Sequence, residues 1–129
     1  MATLKSFTDI PQSKKLAEIL SPESADMYYP WYIEDDGDTI ESGHRITTPN
    51  IGNFTTHKIN KMILPCWSLA ALLNVLPFPQ LSKDKLGSGK VGWMVSVYPM
   101  NCRYDSCWHD EPIDACMDMI KKLHELNLV

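Results

Sequence analysis

No run of about 18 apolar residues occurs in these 129 residues, so no membrane-spanning helix is expected. The opening residues Met1-Ala2-Thr3-Leu4-Lys5-Ser6-Phe7 lack the basic-then-apolar layout of a secretion signal. The expected location is therefore cytoplasmic, with no membrane partner. There is no low-complexity segment and no internal repeat. From Leu16 to His44 there is no Lys or Arg, while eight acids occur there. From Ser42 to Tyr104 the balance inverts, with seven bases against the one acid Asp84. From Asp105 onward six acids outnumber Lys121 and Lys122. Segments of opposite sign either meet and offset one another in the fold or leave a polarised surface that steers a charged partner.

What is present fits an ordinary globular chain. It is 44% hydrophobic and 22% charged, with a net charge of -4, close to the average for folded domains. A single domain over residues 1–129 is expected from length. The four cysteines, Cys66, Cys102, Cys107 and Cys116, default to free thiols in a reducing cytosol. Their even number leaves a secreted, bridged form open.

The apolar pattern then places the elements. Ser13–Leu20 reads as a short amphipathic helix with Leu16, Ile19 and Leu20 on one face, Pro11 near its start and Pro22 at its stop. Met27–Ile33 is aromatic and reads as a strand, placed at an edge or bulge because Pro30 lacks a donor. Asp36-Gly37 is a favoured two-residue hairpin turn, with a partner strand over about Thr39–Thr47. Residues 49–53 read as a loop and Phe54–Ile59 as a third strand. Cys66–Leu76, with Pro65 in its first turn and Pro77 at its end, reads as a helix apolar almost all round and so buried. Ser82–Gly89 reads as a polar loop. Val91–Tyr98 is the best strand, with Trp93, Val95 and Val97 on its core face, and Cys102–Trp108 returns beside it. In the last helix Asp110 is the expected N-cap and Pro112 lies in the first turn. Its stripe is Ile113, Cys116, Met117, Ile120, Leu123 and Leu126. The expected fold class is α+β, a two-layer sandwich of three helices on an antiparallel sheet of about four or five strands, in the order α-β-β-(β)-α-β-β-α.

Several residue sets could carry chemistry. Cys66 at a helix start would gain thiolate character from the helix dipole. Cys66-Trp67-Ser68 in that position resembles the papain-like cysteine peptidases, which implies His109 as base, with Asp110 beside it. The upstream oxyanion-hole glutamine of those enzymes has no counterpart at the usual spacing. Cys102, Cys107, His109 and Cys116 offer four ligands of the kind zinc takes, but without a C-x2-C knuckle. Glu34–Asp38 fails the calcium-loop pattern, since Tyr32 and Gly43 would occupy ligand positions one and twelve. Gly87-Ser88-Gly89-Lys90 fails the P-loop, since Asp84 and Val91 stand where Gly and Ser/Thr are needed. His44 and His57 read as solvated and His124 as structural. The basic middle segment with Trp67, Trp93 and Tyr98 is all that favours nucleic acid, and the chain as a whole is acidic.

Residues 65–77 (PCWSLAALLNVLP) and 112–128 (PIDACMDMIKKLHELNL), with 13–20 and 25–27, resemble small proteins of gut Bacteroidales genomes, often carried by prophages or mobile elements. That family has no assigned activity, so the resemblance implies lineage and not chemistry. No convergent catalytic set stands out. The expected function is therefore that of a small acidic, non-enzymatic accessory protein, of anti-defence or regulatory kind, that binds another protein without a cofactor. Tyr28, Tyr32, Asp35 and Asp36 are the first binding residues to test. A cysteine hydrolase using Cys66 and His109 is the alternative, and a zinc or nucleic-acid module the third.

Overall fold

The structure is a computed structural model that describes residues 4–30, 33–35, 38–40, 50–51 and 63–129. Contacts divide the chain into two compact units, Thr8–Ser68 on one hand and Met1–Phe7 with Leu69–Val129 on the other.

In the first unit, helix α1 spans Ile10–Ile19, three residues ahead of the expected start. The apolar spacing marks its buried face, but capping sets its beginning. The Asp9 carboxylate accepts from the Gln12 N–H at 2.8 Å. The Gln12 side chain accepts from the Asp9 N–H at 3.1 Å, which completes a capping box. Leu16 is fully buried. Strand β1 (Met27–Pro30) follows, then the hairpin strands β2 (Ile33–Asp35) and β3 (Asp38–Ile40). Asp35 stands opposite Asp38, the register of a two-residue turn. The turn itself, Asp36-Gly37, lies outside the described residues. So do residues 41–47 of the expected partner strand and the expected third strand at 54–59.

Two expectations change here. Residues 50–51 are not loop. They form β4 (Asn50–Ile51), paired antiparallel with Tyr28 and Met27. Pro65 and Cys66 do not open a helix. They belong to β5 (Ile63–Cys66), paired along the whole of β1, with Pro65 opposite Tyr28. β1 is thus the middle strand of a β4-β1-β5 sheet rather than an edge. Pro30 is the last residue of β1 and stands opposite Ile63 of β5. A short apolar run fits a buried strand or a buried helix equally well, and pairing to β1 decides it. Helix α1 packs on β5.

In the second unit, helix α2 (Leu69–Val75) is shorter than expected because Cys66 belongs to β5. Strand β6 (Gln80–Lys85) replaces the expected polar loop. Its register with β7 (Val91–Val97) runs from Gln80 opposite Ser96 to Lys85 opposite Val91. The composition Gln-Leu-Ser-Lys-Asp-Lys has little strand preference, and the partner strand overrides it. The two strands join through a turn in which Gly89 N–H bonds to Leu86 O and Leu86 N–H to Lys90 O. Gly89 sits there at φ +89, open only to a residue without Cβ. Strand β8 (Tyr104–Asp105) pairs with Val97 and Ser96. The return continues through mutual backbone bonds between Trp93 and His109.

Helix α3 (Pro112–Glu125) packs on β7 and α2. Its N-cap is Glu111 rather than Asp110. The Glu111 carboxylate accepts from the Lys5 N–H at 2.7 Å, and Lys5 Nζ meets Asp114 at 2.8 Å. Five residues of the expected stripe are buried, together with Pro112, Ala115 and Met119. Leu126 is 47% exposed, because the helix ends at Glu125 and Leu126 is its C-cap. Val95 and Val97 are buried as expected. Trp93 is only half-buried and carries Lys83 Nζ 5.2 Å from its ring centre. The class is α+β with antiparallel pairing. The described strands fall into sheets of three, two and three rather than one of four or five.

Candidate interaction surface

Cys66 lies in a strand, so the helix dipole invoked for it does not act there. It is fully buried in a knot of polar groups around Thr8. Its Sγ donates to Thr8 O at 3.3 Å and lies 3.5 Å from Thr8 Oγ1. Tyr29 OH also donates to Thr8 O, at 2.8 Å, and Thr8 Oγ1 meets Ser13 Oγ at 2.7 Å and the Trp67 N–H at 3.1 Å. Burial pushes the Cys66 thiol up, outweighing the opposing hydrogen bonds from Thr8, Ser13 and Tyr29. A thiol that donates to a carbonyl and resists ionisation serves as structure.

His109 holds a different partner from the one expected. Its Nε2 lies 2.9 Å from Asp118 Oδ2, not on the neighbouring Asp110. The same oxygen accepts from the Cys107 N–H at 2.9 Å. Burial raises the Asp118 carboxyl, but the bonds from His109 and Cys107 outweigh it and hold the group below its usual range. The arrangement ties the segment before α3 to the helix itself. Of the four zinc candidates, Cys102 and Cys107 are exposed and Cys116 is buried within α3. Burial pushes Cys116 up to about 12. Among the described residues no group of three His, Cys, Asp or Glu could hold a metal ion. No helix among them is long and apolar enough to cross a membrane.

Of the aromatic and acidic candidates, Tyr28 is half-buried in β1 and Asp35 ends β2. Tyr32 and Asp36 lie outside the described residues, as do His44 and His57.

A different surface emerges at one end of the β6-β7-β8 sheet. Two loops meet there, one before β6 and one after β7. The Tyr98 N–H donates to Pro77 O at 3.1 Å, and Tyr98 OH donates to the Gln80 side chain at 3.4 Å. Each loop carries one large apolar side chain in water. Phe78 is 80% exposed and Met100 is 84% exposed. Both have left-handed backbones, with φ 48 at Phe78 and φ 51 at Met100. That conformation costs a residue with a Cβ about 1–2 kcal/mol, and at Phe78 the following Pro79 disfavours it further. Beside them the Asp105 carboxylate accepts from Ser96 Oγ at 2.6 Å and from Arg103 Nε at 2.8 Å. These bonds, Ser96 first, hold Asp105 below the usual carboxylate range.

The sequence reading assigned no role to Phe78 or Met100. The available signal was Pro77-Phe78-Pro79, a large apolar residue that its flanking prolines keep out of helix and strand. Comparison with protein-family models, with curated proteins and with solved structures finds no match.

Proposed function

We propose that this chain works by binding another protein, as a small acidic accessory factor of the cytoplasm, and that Phe78 and Met100 are its apolar contacts. One observation carries the reading. The two most exposed large apolar side chains among the described residues stand on adjoining, hydrogen-bonded loops, each in a strained backbone. Strain without local packing to repay it marks a site kept for something outside the chain. A pair of exposed apolar anchors rimmed by Arg103, Asp105 and Gln80 has the make-up of an interface centre with a polar edge. The resemblance of residues 65–77 and 112–128 to prophage and mobile-element proteins supports the accessory role.

The test is an affinity capture from the native cell extract, comparing the wild type with a Phe78→Ser/Met100→Ser double variant by mass spectrometry. The expected result is one stoichiometric protein held by the wild type and lost by the variant, whose circular dichroism is unchanged. Retention of that protein by the variant would move the contact elsewhere. An empty wild-type eluate after crosslinking would remove the binding role.

A further inference from the structure

Among the described residues no strand pairs with the outer edge of β6 in the β6-β7-β8 sheet. We propose that this edge of β6 pairs antiparallel with β6 of a second copy of the chain. Leu81 of each copy then faces Lys83 of the other, and Ser82 lies on the two-fold axis. The proposal rests on the backbone of β6 and shares Gln80 with the rim of the Phe78–Met100 surface.

Hydrogen-bond parity sets which groups are free. The Leu86 N–H bonds to Lys90 O across the turn. By antiparallel alternation, Asp84, Ser82 and Gln80 therefore turn their backbone groups toward β7. The far side of β7 agrees, since Trp93 N–H reaches His109 O and Ser106 N–H reaches Val95 O. The backbone groups of Leu81, Lys83 and Lys85 consequently point outward. Lys85 N–H is already taken by Asp84 Oδ1 at 2.8 Å. Among the described residues, what stays open besides the Lys85 C=O is the N–H and C=O of Leu81 and of Lys83, a set of two donors and two acceptors that is complementary to itself.

The choice of register follows from charge and donors. Centring on Lys83 would place two ammonium groups face to face and call on the N–H that Asp84 covers. Centring on Leu81 would set Pro79, which has no N–H, opposite Lys83. Placing Leu81 opposite Lys83 avoids both and uses the N–H and C=O of both residues in both copies. It also sets Gln80 opposite Asp84. The Gln80 Oε1 already accepts from Tyr98 OH, which leaves its amide N–H groups to donate to the carboxylate of the second copy. Each Lys83 ammonium is drawn back over its own Trp93 ring, which keeps the two like charges off the axis. Ser82 is small enough to sit against itself. Pro79 at one end and the covered Lys85 N–H at the other limit the pairing to this stretch. The two-fold contact therefore closes as a dimer and does not grow into a fibre.

The test uses the full chain with Cys102→Ser and Cys107→Ser, to silence the exposed thiols. Ser82→Cys is added in one version and Lys90→Cys, on the exposed turn, in another. Residues facing each other in a non-hydrogen-bonded antiparallel pair come close enough for a disulfide. Under mild oxidant Ser82→Cys should form covalent dimer at least about ten-fold faster than Lys90→Cys, because pairing raises the local concentration of the two thiols. The wild type should show a concentration-dependent monomer–dimer equilibrium in sedimentation. Leu81→Pro, which removes an outward N–H that bonds to nothing among the described residues, should shift that equilibrium to monomer. Equal crosslinking of the two cysteine variants, or a wild type that sediments as monomer throughout, would overturn the proposal. If Leu81→Pro loses its circular dichroism signal, the crosslinking comparison decides alone.

Discussion

Replacing Thr8 by valine removes one oxygen from the centre of the Thr8–Ser68 unit and keeps the side chain's shape. Thr8 is fully buried, and its hydroxyl serves the Trp67 N–H at 3.1 Å, Ser13 Oγ at 2.7 Å and Cys66 Sγ at 3.5 Å. The contact to sulfur is weak. The other two leave a backbone donor and a buried hydroxyl without their partner. An unpaired buried donor costs about 1–3 kcal/mol, and a lost neutral hydrogen bond about 1 kcal/mol. The methyl that replaces the hydroxyl returns about 0.8 kcal/mol of apolar burial at most. The net expectation is a loss of about 1–3 kcal/mol. That is well inside the roughly 5–15 kcal/mol of a small folded protein, so the variant still folds. Ser13→Ala removes one arm of the knot and leaves Thr8 bonded to Trp67, so it should cost about 1 kcal/mol. Urea unfolding followed by circular dichroism gives both values, provided the slope m is unchanged. A Thr8→Val variant no less stable than Ser13→Ala would refute the view that Thr8 is the hub.

Met100→Gly should raise stability by about 1 kcal/mol, since the left-handed backbone is relieved and a side chain 84% exposed gives up little burial. The same variant should lose the captured partner, and a fall in thermal midpoint would count against strain at this position. A thiol reagent near neutral pH should label the exposed Cys102 and Cys107 quickly and reach Cys66 and Cys116 only on unfolding. Fast labelling of Cys66 in the native protein would restore the hydrolase reading. The Cys116 thiol ionises more readily in the unfolded chain than in the fold. Its stabilising contribution is therefore complete below the ordinary thiol value of 9.0 and is lost as pH climbs toward about 12. Cys116→Ala should flatten that alkaline loss in a pH series of thermal midpoints. Asp118 has the opposite sign. Its carboxyl is lowered by the fold, so its contribution holds above pH 3.8 and disappears as pH falls through its folded value. Asp118→Asn should flatten the acid limb.

Legibility in the sequence followed the range of the interactions. The stripe of α3 and the alternation of β7 come from neighbours three or four residues, or two residues, apart, and both elements stand close to where the pattern put them. The Asp36-Gly37 dipeptide pointed to the register of Asp35 opposite Asp38. The polar segment 80–85 carries no strand signal, and it is a strand because Val91–Val97 offers it a ladder. Pro65 and Cys66 read as the opening of a helix, and pairing with residues 27–30 makes Ile63–Cys66 a strand. Around the candidate surface, the prolines at 77, 79 and 99 marked two loops. Nothing local says that those loops meet, or that Phe78 and Met100 stand in water there.

The sequence by itself determined where the amphipathic helices and the best strand would form, which segments carry charge of one sign, and which motifs fail on a missing ligand. These are properties of residues near each other along the chain. The tertiary structure decided the chemistry of the four cysteines, which are the same side chain in four surroundings. It buried Cys66 against Thr8 and Cys116 within α3, and left Cys102 and Cys107 in water. It also gave His109 the carboxylate of Asp118 and turned the backbone of Leu81 and Lys83 to an open edge. Exposure, ionisation and hydrogen-bond partners depend on atoms that only folding brings within a few ångströms, and the pattern of a single chain does not record them.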